Sequence, residues 1–428
     1  MPSQPNYLET STWLAMEQLR LLTNALEIAP CFNTDFQDNL EKEFPVGPTF
    51  QIPLPNLVLP RLNTLNYAAQ PIVDRHATVT CDRIAGADLE WDGIEEALTM
   101  VRGEDRIRKK LLVPAMKVIR QQIDTQCAQW GYLNTPNVVG TLATDPTTFD
   151  AVYGAADQRL TELAGNYGEK TMILSPSLAR TLRANVVTNT FHPKDELAAM
   201  FKKGYIGDVT GIGPTYQSMS LYQHTTGIWA TVATGVTVNT ASSSGDSTLV
   251  VSCTSGDTFN AGDRVNIGSV NEINPMTLRS TGTLKQFVIA NTVTATSTTA
   301  TLTFVTNSSQ GAIIGPGSPY QNVDALPAAA ATLTLWPGTT MSNATAKTGT
   351  VSLMIGQDAF ALVGFKFKNP KASSVEIVAQ EQDPDTGISV AFVRSWDAPT
   401  RKWINRFDSG FGFGNLHNDH CAVAVAGK

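Results

Sequence analysis

The chain has 428 residues and a formal net charge of −7, from 31 Lys and Arg against 38 Asp and Glu. This mild acidity argues against a nucleic-acid-binding protein, because neutralising phosphates requires clustered basic residues. Charged residues make up only 16% of the sequence, below the about 25% of a typical soluble domain, which suits a surface that other protein molecules cover.

The sequence also disfavours membrane insertion and disulfide chemistry. No apolar run approaches the about 20 residues of a membrane-spanning helix, and residues 1–20 lack the basic-then-apolar order of a signal peptide. The five cysteines occur singly, without a CxxC pair, which excludes a zinc knuckle and favours buried thiols. We therefore expect a soluble chain, made in a cytoplasm and without a membrane partner.

The first predicted element is an amphipathic helix over residues 8–28. Its apolar side carries Leu14, Leu21, Leu22, Ala25 and Ile28. Glu17 lies in the early turns, where an acidic side chain favours its own helix N-terminus. The pattern predicts a helical arm with one apolar side.

A proline-rich segment follows at residues 45–75, with six prolines among apolar side chains. Prolines at this spacing remove backbone donors and forbid a helix, so an extended loop is predicted. The loop holds too little apolar surface to stand alone, and we expect it to lie over a neighbouring subunit. The residues predicted to make this contact are Phe50, Ile52, Leu54, Leu57 and Leu59.

The strongest helical signal runs from Glu104 to Tyr132, where apolar residues recur at four-residue steps. These positions are Ile107, Leu111, Ala115, Ile119, Ile123 and Cys127. Pro114 deletes the bond to the carbonyl of Lys110 and predicts a kink there. We expect a long, bent helix that is buried along one face.

An α/β segment and a β-rich segment complete the chain. Residues 145–182 predict helix, strand and helix, with KTMILS as the buried strand. Residues 226–345 are rich in Ser and Thr, with β-branched runs between Gly, Asp and Asn turns. Alternation around Val265 and Ile267 favours an inserted all-β module over a low-complexity linker. Two alternating strands and a final strand, HCAVAVAG, are predicted after residue 388.

Four short motifs invite a chemical interpretation, and each is better explained as backbone structure. They are LHNDHC with His417, His420 and Cys421, GFGFGN at 410–415, GYIGDVTGIG at 204–213 and DPDTG at 383–387. The first lacks a second ligand cluster and fits a polar turn better than a metal site. The glycine runs lack the frame of a phosphate loop, and DPDTG lacks the spacing of a calcium loop. We predict no catalytic residue, no metal site and no cofactor.

The order of these parts, more than any single motif, carries a family resemblance. The segments that contribute are LAMEQL (14–19), GYIGDVTGIGPTYQSMSLYQHTTG (204–227), AGDRVNIGSVNEINPMT (261–277), SPYQNVDALPAAAATLTL (318–335) and NRFDSGFGFGN (405–415). Together they resemble the major capsid proteins of tailed bacteriophages, which share the Hong Kong-97 fold. The chain is most similar to coat proteins of the short-tailed Salmonella-phage type, which carry an inserted β-domain. HND at 417–419 departs from a family turn that is Arg-Pro-Glu-like.

The resemblance implies an α+β fold in five parts. They are an N-terminal arm at 1–44, an extended loop at 45–92, a peripheral domain with the long helix at 93–140 and 388–428, an apical domain at 141–225 and 346–387, and the inserted β-domain at 226–345.

The resemblance also implies a structural protein of the virion, not an enzyme. Hundreds of copies would form hexamers and pentamers of an icosahedral head around double-stranded DNA, by way of a scaffolded procapsid that matures. The implied partners are other copies of the chain, a scaffolding protein met by Glu17, a portal protein, and a decoration protein in some shells. Packaged DNA would be touched only non-specifically.

Two other classes stay open at the level of sequence. A tail-associated or surface adhesin would explain the Ser- and Thr-rich β module, but it leaves the long helix and the proline-rich loop unexplained. An enzyme with a divergent site would need a constellation of residues that the sequence does not show.

Overall fold

The computed structural model describes residues 16, 19–22, 26–36, 49–59, 72, 74–92, 113–146, 148, 150–164, 170–181, 214–229, 235–306, 310–336, 345–367, 376–383, 387–397, 399 and 402–427. The chain divides into two compact units. The first unit comprises Met1–Phe50, Thr78–Cys127 and Ala361–Gly414, and the second Gln51–Ala77, Ala128–Phe360 and Asn415–Lys428. Within the described ranges, no helix is long and apolar enough to cross a membrane.

Strands dominate the described residues. In chain order they are β1 Thr49–Leu54, β2 Arg75–Asp92, β3 Val138–Gly140, β4 Lys170–Leu174, β5 Thr215–Gln217, β6 Gln223–Thr225, β7 Thr237–Val238, β8 Thr248–Ser252, β9 Thr258–Phe259, β10 Arg264–Asn274, β11 Arg279–Val288, β12 Val293–Thr294, β13 Thr299–Thr303, β14 Leu333–Leu335, β15 Thr348–Gly356, β16 Phe360–Phe365, β17 Glu376–Gln382, β18 Ser389–Asp397, β19 Lys402–Asn415 and β20 Ala422–Ala426. The helices are α1 Val113–Asn134, α2 Ala155–Glu162 and α3 Asn418–Cys421, with a 3-10 turn at Ala29–Cys31 and a π-helical turn at Asp150–Gly154.

One sheet has the strand order β1-β2-β19-β18-β17, with β16 also paired to β19. The β17–β18, β18–β19 and β19–β2 pairs are antiparallel. The predicted alternation is confirmed in the first half of β19, where Asn405 and Phe407 are buried while Ile404 and Arg406 are exposed. The prediction is wrong for β18, in which four buried residues are followed by five half-buried ones. Gly410 is needed here, since a Cβ atom at that position would lie 2.6 Å from the Phe365 ring. GFGFGN is therefore a glycine-bearing strand, as predicted.

The N-terminal helix ends earlier than the sequence predicts. Residues 19–22 are helical, but Ile28 lies in a bend before the 3-10 turn. Pro30 gives one reason, because it has no N–H to donate to the carbonyl of Leu26. Asp124 gives another, since its carboxylate Oδ1 accepts the backbone N–H groups of Ile28 at 3.0 Å and Ala29 at 3.3 Å.

The long helix is confirmed over its described part, α1. Its buried face carries Ala115, Ile119, Ile123 and Cys127, which are the four-residue steps of the predicted stripe. Pro114 lies in the first described turn of α1, a position where its missing N–H is tolerated. Lys110, whose carbonyl defines the predicted kink, lies outside the described residues.

The α/β part of the second unit holds a sheet in the order β3-β20-β15-β4-β5, with β6 also paired to β15. The predicted helix, strand and helix are confirmed as α2, β4 and a helical stretch at residues 176–181. Met172 and Leu174 of β4 pack against Leu160 of α2 in one buried cluster. The predicted polar turn before β20 is instead the one-turn helix α3.

The β-rich segment forms three small sheets, β11-β10-β14, β12-β9 and β13-β8-β7. Their side chains share an apolar core whose buried members all lie between Trp229 and Leu335. Val265, Ile267, Phe287, Ile289, Leu302 and Phe304, the alternating positions of the sequence, all belong to this core. We call residues 226–345 the β module, and its two boundaries stay a prediction.

Candidate functional site

The structure places the predicted site residues in different settings. Glu17 lies outside the described residues, and its contact with a scaffolding protein stays a prediction. Ile52 and Leu54 are buried within their own chain, because β1 pairs with β2. Phe50, Leu57 and Leu59 are half-buried. The loop therefore keeps part of its apolar surface inside the chain.

Among the described residues of this loop, the most exposed apolar side chains are not among the five predicted to make the contact between subunits. Val58 is 70% exposed and Ile72 is 75% exposed. No periodicity marks them, because they stand among prolines in extended backbone. They become visible as a surface only when the burial of β1 is known.

The described histidines and cysteines show no arrangement for chemistry. Burial lowers the pKa of His417, and burial raises the pKa of Cys81 to about 11 and that of Cys127 well above its ordinary value. These thiols are therefore protonated and unreactive. Among the residues that the structure describes, no group of His, Cys, Asp and Glu could hold a metal ion.

The most elaborate buried polar arrangement joins the β module to the end of α1. Arg264, the first residue of β10, is 1% exposed. Its Nη2 donates to the carbonyls of Tyr132 at 2.6 Å and Thr135 at 2.9 Å, and its Nη1 donates to Gly262 O at 2.6 Å. The last carbonyls of a helix lack partners within the helix and form the negative end of its dipole. Arg264 therefore caps the C-terminus of α1 from a position 132 residues further along the chain.

Aromatic rings complete this cap. The Arg264 guanidinium lies 3.7 Å from the centroid of the Tyr132 ring, and Tyr132 stacks on Tyr222 at 5.2 Å. His224 lies 5.1 Å from the Tyr132 ring and pairs its Nε2 with Asp263 Oδ1 at 2.9 Å. Burial raises the pKa of Tyr132 and lowers that of Arg264, because desolvation disfavours the charged form of each group.

A glycine allows the cap to close. Gly262 has φ +91°, and a Cβ atom there would lie 2.8 Å from Leu133 Cδ2 and 3.1 Å from the Tyr132 ring. Both the backbone conformation and the lack of space therefore require glycine. Tyr132 Oη donates to Gly262 O at 3.2 Å, so the same residue accepts bonds from Tyr132 and Arg264.

A second buried cluster ties the β module to α2. Glu272 is 1% exposed and binds Arg159 Nη2 at 2.6 Å with one oxygen and Lys285 Nζ at 2.9 Å with the other. A buried carboxylate is tolerated when both of its oxygens are paired in this way. Arg159 comes from α2, whereas Glu272 and Lys285 come from β10 and β11.

In a third contact, the side chain of Gln286 forms two hydrogen bonds to the backbone of Val138, as a neighbouring strand would. Gln286 Oε1 accepts the N–H of Val138 at 2.7 Å, and its Nε2 donates to the Val138 carbonyl at 3.2 Å. The amide thus satisfies both backbone groups of one residue in β3. We call the Arg264, Glu272 and Gln286 contacts together the junction. Sequence reasoning missed it, because its contacts to α1, α2 and β3 join residues more than 100 positions apart and follow no period.

The comparisons with known proteins decide the family. A family model described as "P22 coat protein - gene protein 5" matches residues 96–427, which is most of the chain. The chain belongs to the P22 coat protein family. It is a major capsid protein, a structural protein of the bacteriophage virion with an α+β capsid fold and an extra β part, and it assembles with copies of itself. The family match does not favour the alternative of an adhesin.

The comparison with solved structures gives matches of low sequence identity and low TM-score. A structure titled "Mycobacterium phage Che8" is 11% identical, with a TM-score of 0.42, over 94% of this coat protein and 90% of that chain. A structure from the Helicobacter pylori bacteriophage KHP30 capsid is 12% identical, with a TM-score of 0.39, over 94% and 89%. The I-domain of the CUS-3 coat protein is 21% identical, with a TM-score of 0.19, over 25% of this chain and 99% of its own. No curated protein matches the sequence.

Proposed function

We propose that this coat protein forms hexamers and pentamers that close into an icosahedral head around double-stranded DNA, by way of a scaffolded procapsid that matures. The family match over residues 96–427 is the observation that carries the proposal. The low share of charged residues supports it, since only 16% of the side chains carry a charge. In such a shell each contact is weak, and stability comes from the number of contacts.

The loop between β1 and β2 supports a role in contacts between subunits. Val58 and Ile72 expose apolar surface that a monomer would leave in water. Leu57, Leu59 and Phe50 are half-buried and add to it. We propose that a neighbouring subunit covers this part of the loop, while Ile52 and Leu54 stay inside their own chain.

The remaining partners are proposed from the resemblance. A scaffolding protein would meet the N-terminal arm at Glu17, a portal protein would occupy one vertex, and a decoration protein would bind the finished shell. Assembly would take place in the host cytoplasm, DNA would be touched only non-specifically, and no catalytic step is proposed. The five-part division, with the β module as an inserted domain, belongs to the same proposal.

Cryo-electron microscopy of the full chain, expressed alone and with the scaffolding protein of the same phage, tests the proposal. The expected result is closed shells with fivefold and sixfold capsomers, more uniform in size when the scaffolding protein is present. Monomers or open filaments at every protein and salt concentration would contradict it.

A paired variant tests the loop within that experiment. Val58→Ser combined with Ile72→Ser should leave a folded monomer and raise the concentration needed for assembly, because about 2–3 kcal/mol of apolar burial per subunit is removed. Met219→Ser is the matched control, since Met219 is 89% exposed and lies outside this loop. Equal assembly by both variants would remove the loop from the interface.

A further inference from the structure

Tyr320 lies in the β module near its exit, and it is only 9% exposed. Residues from outside the module contact its side chain. They are the two ends of the loop that runs from Asn56 to Arg75, which is remote from Tyr320 in sequence.

The first end of the loop binds the Tyr320 hydroxyl. The backbone N–H of Leu57 donates to Tyr320 Oη at 3.3 Å. The hydroxyl in turn donates to Asn56 Oδ1 at 3.5 Å. One hydroxyl thus serves as acceptor and donor for two successive residues.

The second end of the loop binds both the ring and the first end. Asn56 Nδ2 donates to Asp74 Oδ1 at 2.9 Å, which closes the loop at its base. The Arg75 guanidinium lies 4.7 Å from the centroid of the Tyr320 ring, in the position of a cation–π contact. Arg75 is 9% exposed, so water screens this contact weakly.

The exposed apolar residues of the loop flank this base. Val58 follows Leu57 by one residue and Ile72 precedes Asp74 by two, and these side chains are 70% and 75% exposed. Holding both ends of a loop removes conformational freedom before any partner binds, and this lowers the entropy lost on association. A single tyrosine of the β module contacts both ends of the loop that carries these side chains.

We propose that Tyr320 is a positioning residue for assembly: it fixes both ends of the loop so that Val58 and Ile72 meet a second copy of this chain. The proposal rests on the proposed function, because only a protein that associates with its own copies has such a partner. It goes beyond that function because it gives the β module a role in positioning Val58 and Ile72 for contact with the second copy. The β module then acts on assembly through the loop that it holds.

We call the contacts of Tyr320 with the two ends of the loop the clamp. Limited proteolysis of the full chain measures how strongly the clamp restrains the loop, and this measurement does not require assembly. Trypsin can cut after Arg61, which the sequence places between the two clamped ends. Tyr320→Phe removes the hydroxyl and keeps the ring, and it should raise the rate of cutting at Arg61 about fivefold, as expected for about 1 kcal/mol. Tyr320→Ala removes both contacts and should raise the rate at least about tenfold, or about 1.4 kcal/mol.

Tyr153→Phe is the matched control for these variants. It removes a hydroxyl that donates to Thr215 Oγ1 at 3.3 Å in the same unit but away from the loop, and its cutting rate at Arg61 should stay that of the parent protein. Circular dichroism and thermal unfolding check that each variant is folded. Where Tyr320→Ala does not fold, Tyr320→Phe still decides the question.

Light scattering then measures assembly of the same proteins. The expected result is that the protein concentration for half-maximal assembly is higher for Tyr320→Phe than for the parent protein, and higher again for Tyr320→Ala. Tyr153→Phe should have the same value as the parent protein. An unchanged cutting rate in both Tyr320 variants would overturn the clamp. Faster cutting with unchanged assembly would overturn its role in positioning. A parent protein that forms no shells would overturn the proposed function, and the proteolysis result would still judge the clamp.

Discussion

The apolar core of the β module and its polar junction both include residues of one strand, β10, and they use opposite chemistry. Val265 and Ile267 point into a core built entirely from module residues. Arg264 points away from that core, to carbonyls of Tyr132 and Thr135 in α1 and the residue after it. The core tolerates any well-fitting apolar neighbour, whereas the junction needs particular groups at particular positions. The core therefore forms the module, and the junction fixes its place in the second unit.

Arg264→Met against Ile267→Ala should separate these two roles most strongly. In the full chain, Arg264→Met should cost about 4 kcal/mol, because three buried hydrogen bonds from a charged donor are lost. Ile267→Ala should cost about 3 kcal/mol through a cavity. In residues 226–345 expressed alone, Arg264→Met should cost much less than Ile267→Ala, since Tyr132 and Thr135 are absent and only the bond to Gly262 O remains. Urea unfolding followed by circular dichroism measures the free energy of unfolding of both variants, in the full chain and in the isolated segment.

That experiment requires the isolated segment to fold, which is itself a prediction. Its complete core predicts dispersed amide signals and one cooperative transition. A random-coil spectrum would show that the junction is needed for folding as well as for placement. An equal loss from both variants in the isolated segment would contradict the separation of core and junction.

Gly262→Ala should cost about 3 kcal/mol, because strain at positive φ adds to a clash with α1. Gly256 provides the control, since it has φ +96° and a Cβ atom added there would meet nothing within 4 Å. Gly256→Ala carries the strain alone and should cost about 1 kcal/mol. Thermal unfolding of the two variants measures the difference. Similar losses would mean that the close approach to Leu133 is not a constraint.

Asp124 extends the comparison to the first unit, where it is a buried carboxylate on the apolar face of α1. It is 1% exposed and accepts the N–H groups of Glu27, Ile28 and Ala29. Desolvation raises its pKa above the ordinary value of 3.8, although these bonds and Arg120 oppose the shift. The stability linked to its protonation is therefore present below 3.8 and is lost as pH rises through the raised folded pKa.

Asp124→Asn should abolish that pH dependence and cost about 1–2 kcal/mol at neutral pH, because an amide N–H would face the N–H of Glu27. Urea unfolding between about pH 3 and about pH 7 compares the two proteins. A parent protein whose stability rises with pH over this window, relative to the variant, would contradict a raised pKa for Asp124.

Glu17→Lys should give the smallest effect, about 1 kcal/mol or less for each contact with a scaffolding protein. Scaffold-directed assembly should be impaired most at low salt, where screening is weak. Light scattering across a salt series measures the rate of scaffold-directed assembly, and circular dichroism is the folding control. Unchanged kinetics at low salt would remove Glu17 from the interface. A loss of helicity would show instead that Glu17 stabilises its own helix.

The elements with a regular period were predictable. The four-residue stripe of α1 from Ala115 to Cys127, the two-residue alternation of β10 and β19, and the short apolar strand β4 all appear where the pattern puts them. Composition alone marked the β module as different from the rest of the chain. In each case the apolar side of an element repeats along the sequence, because regular backbone geometry brings every second or fourth residue to the same side.

The contacts that decide placement had no such signal. Arg264 reads as one more polar residue at the start of a strand, Asp124 as an interruption of an apolar face, and Tyr320 as part of a turn. Their partners lie 129, 96 and 263 positions away, and a charge or hydroxyl is satisfied by a single group at one distance and angle. The sequence by itself determined the elements that have a regular period and which side of each is apolar. Only the tertiary structure decided which buried polar groups meet, because hydrogen bonds depend on position in space and hydrophobic burial depends mainly on area.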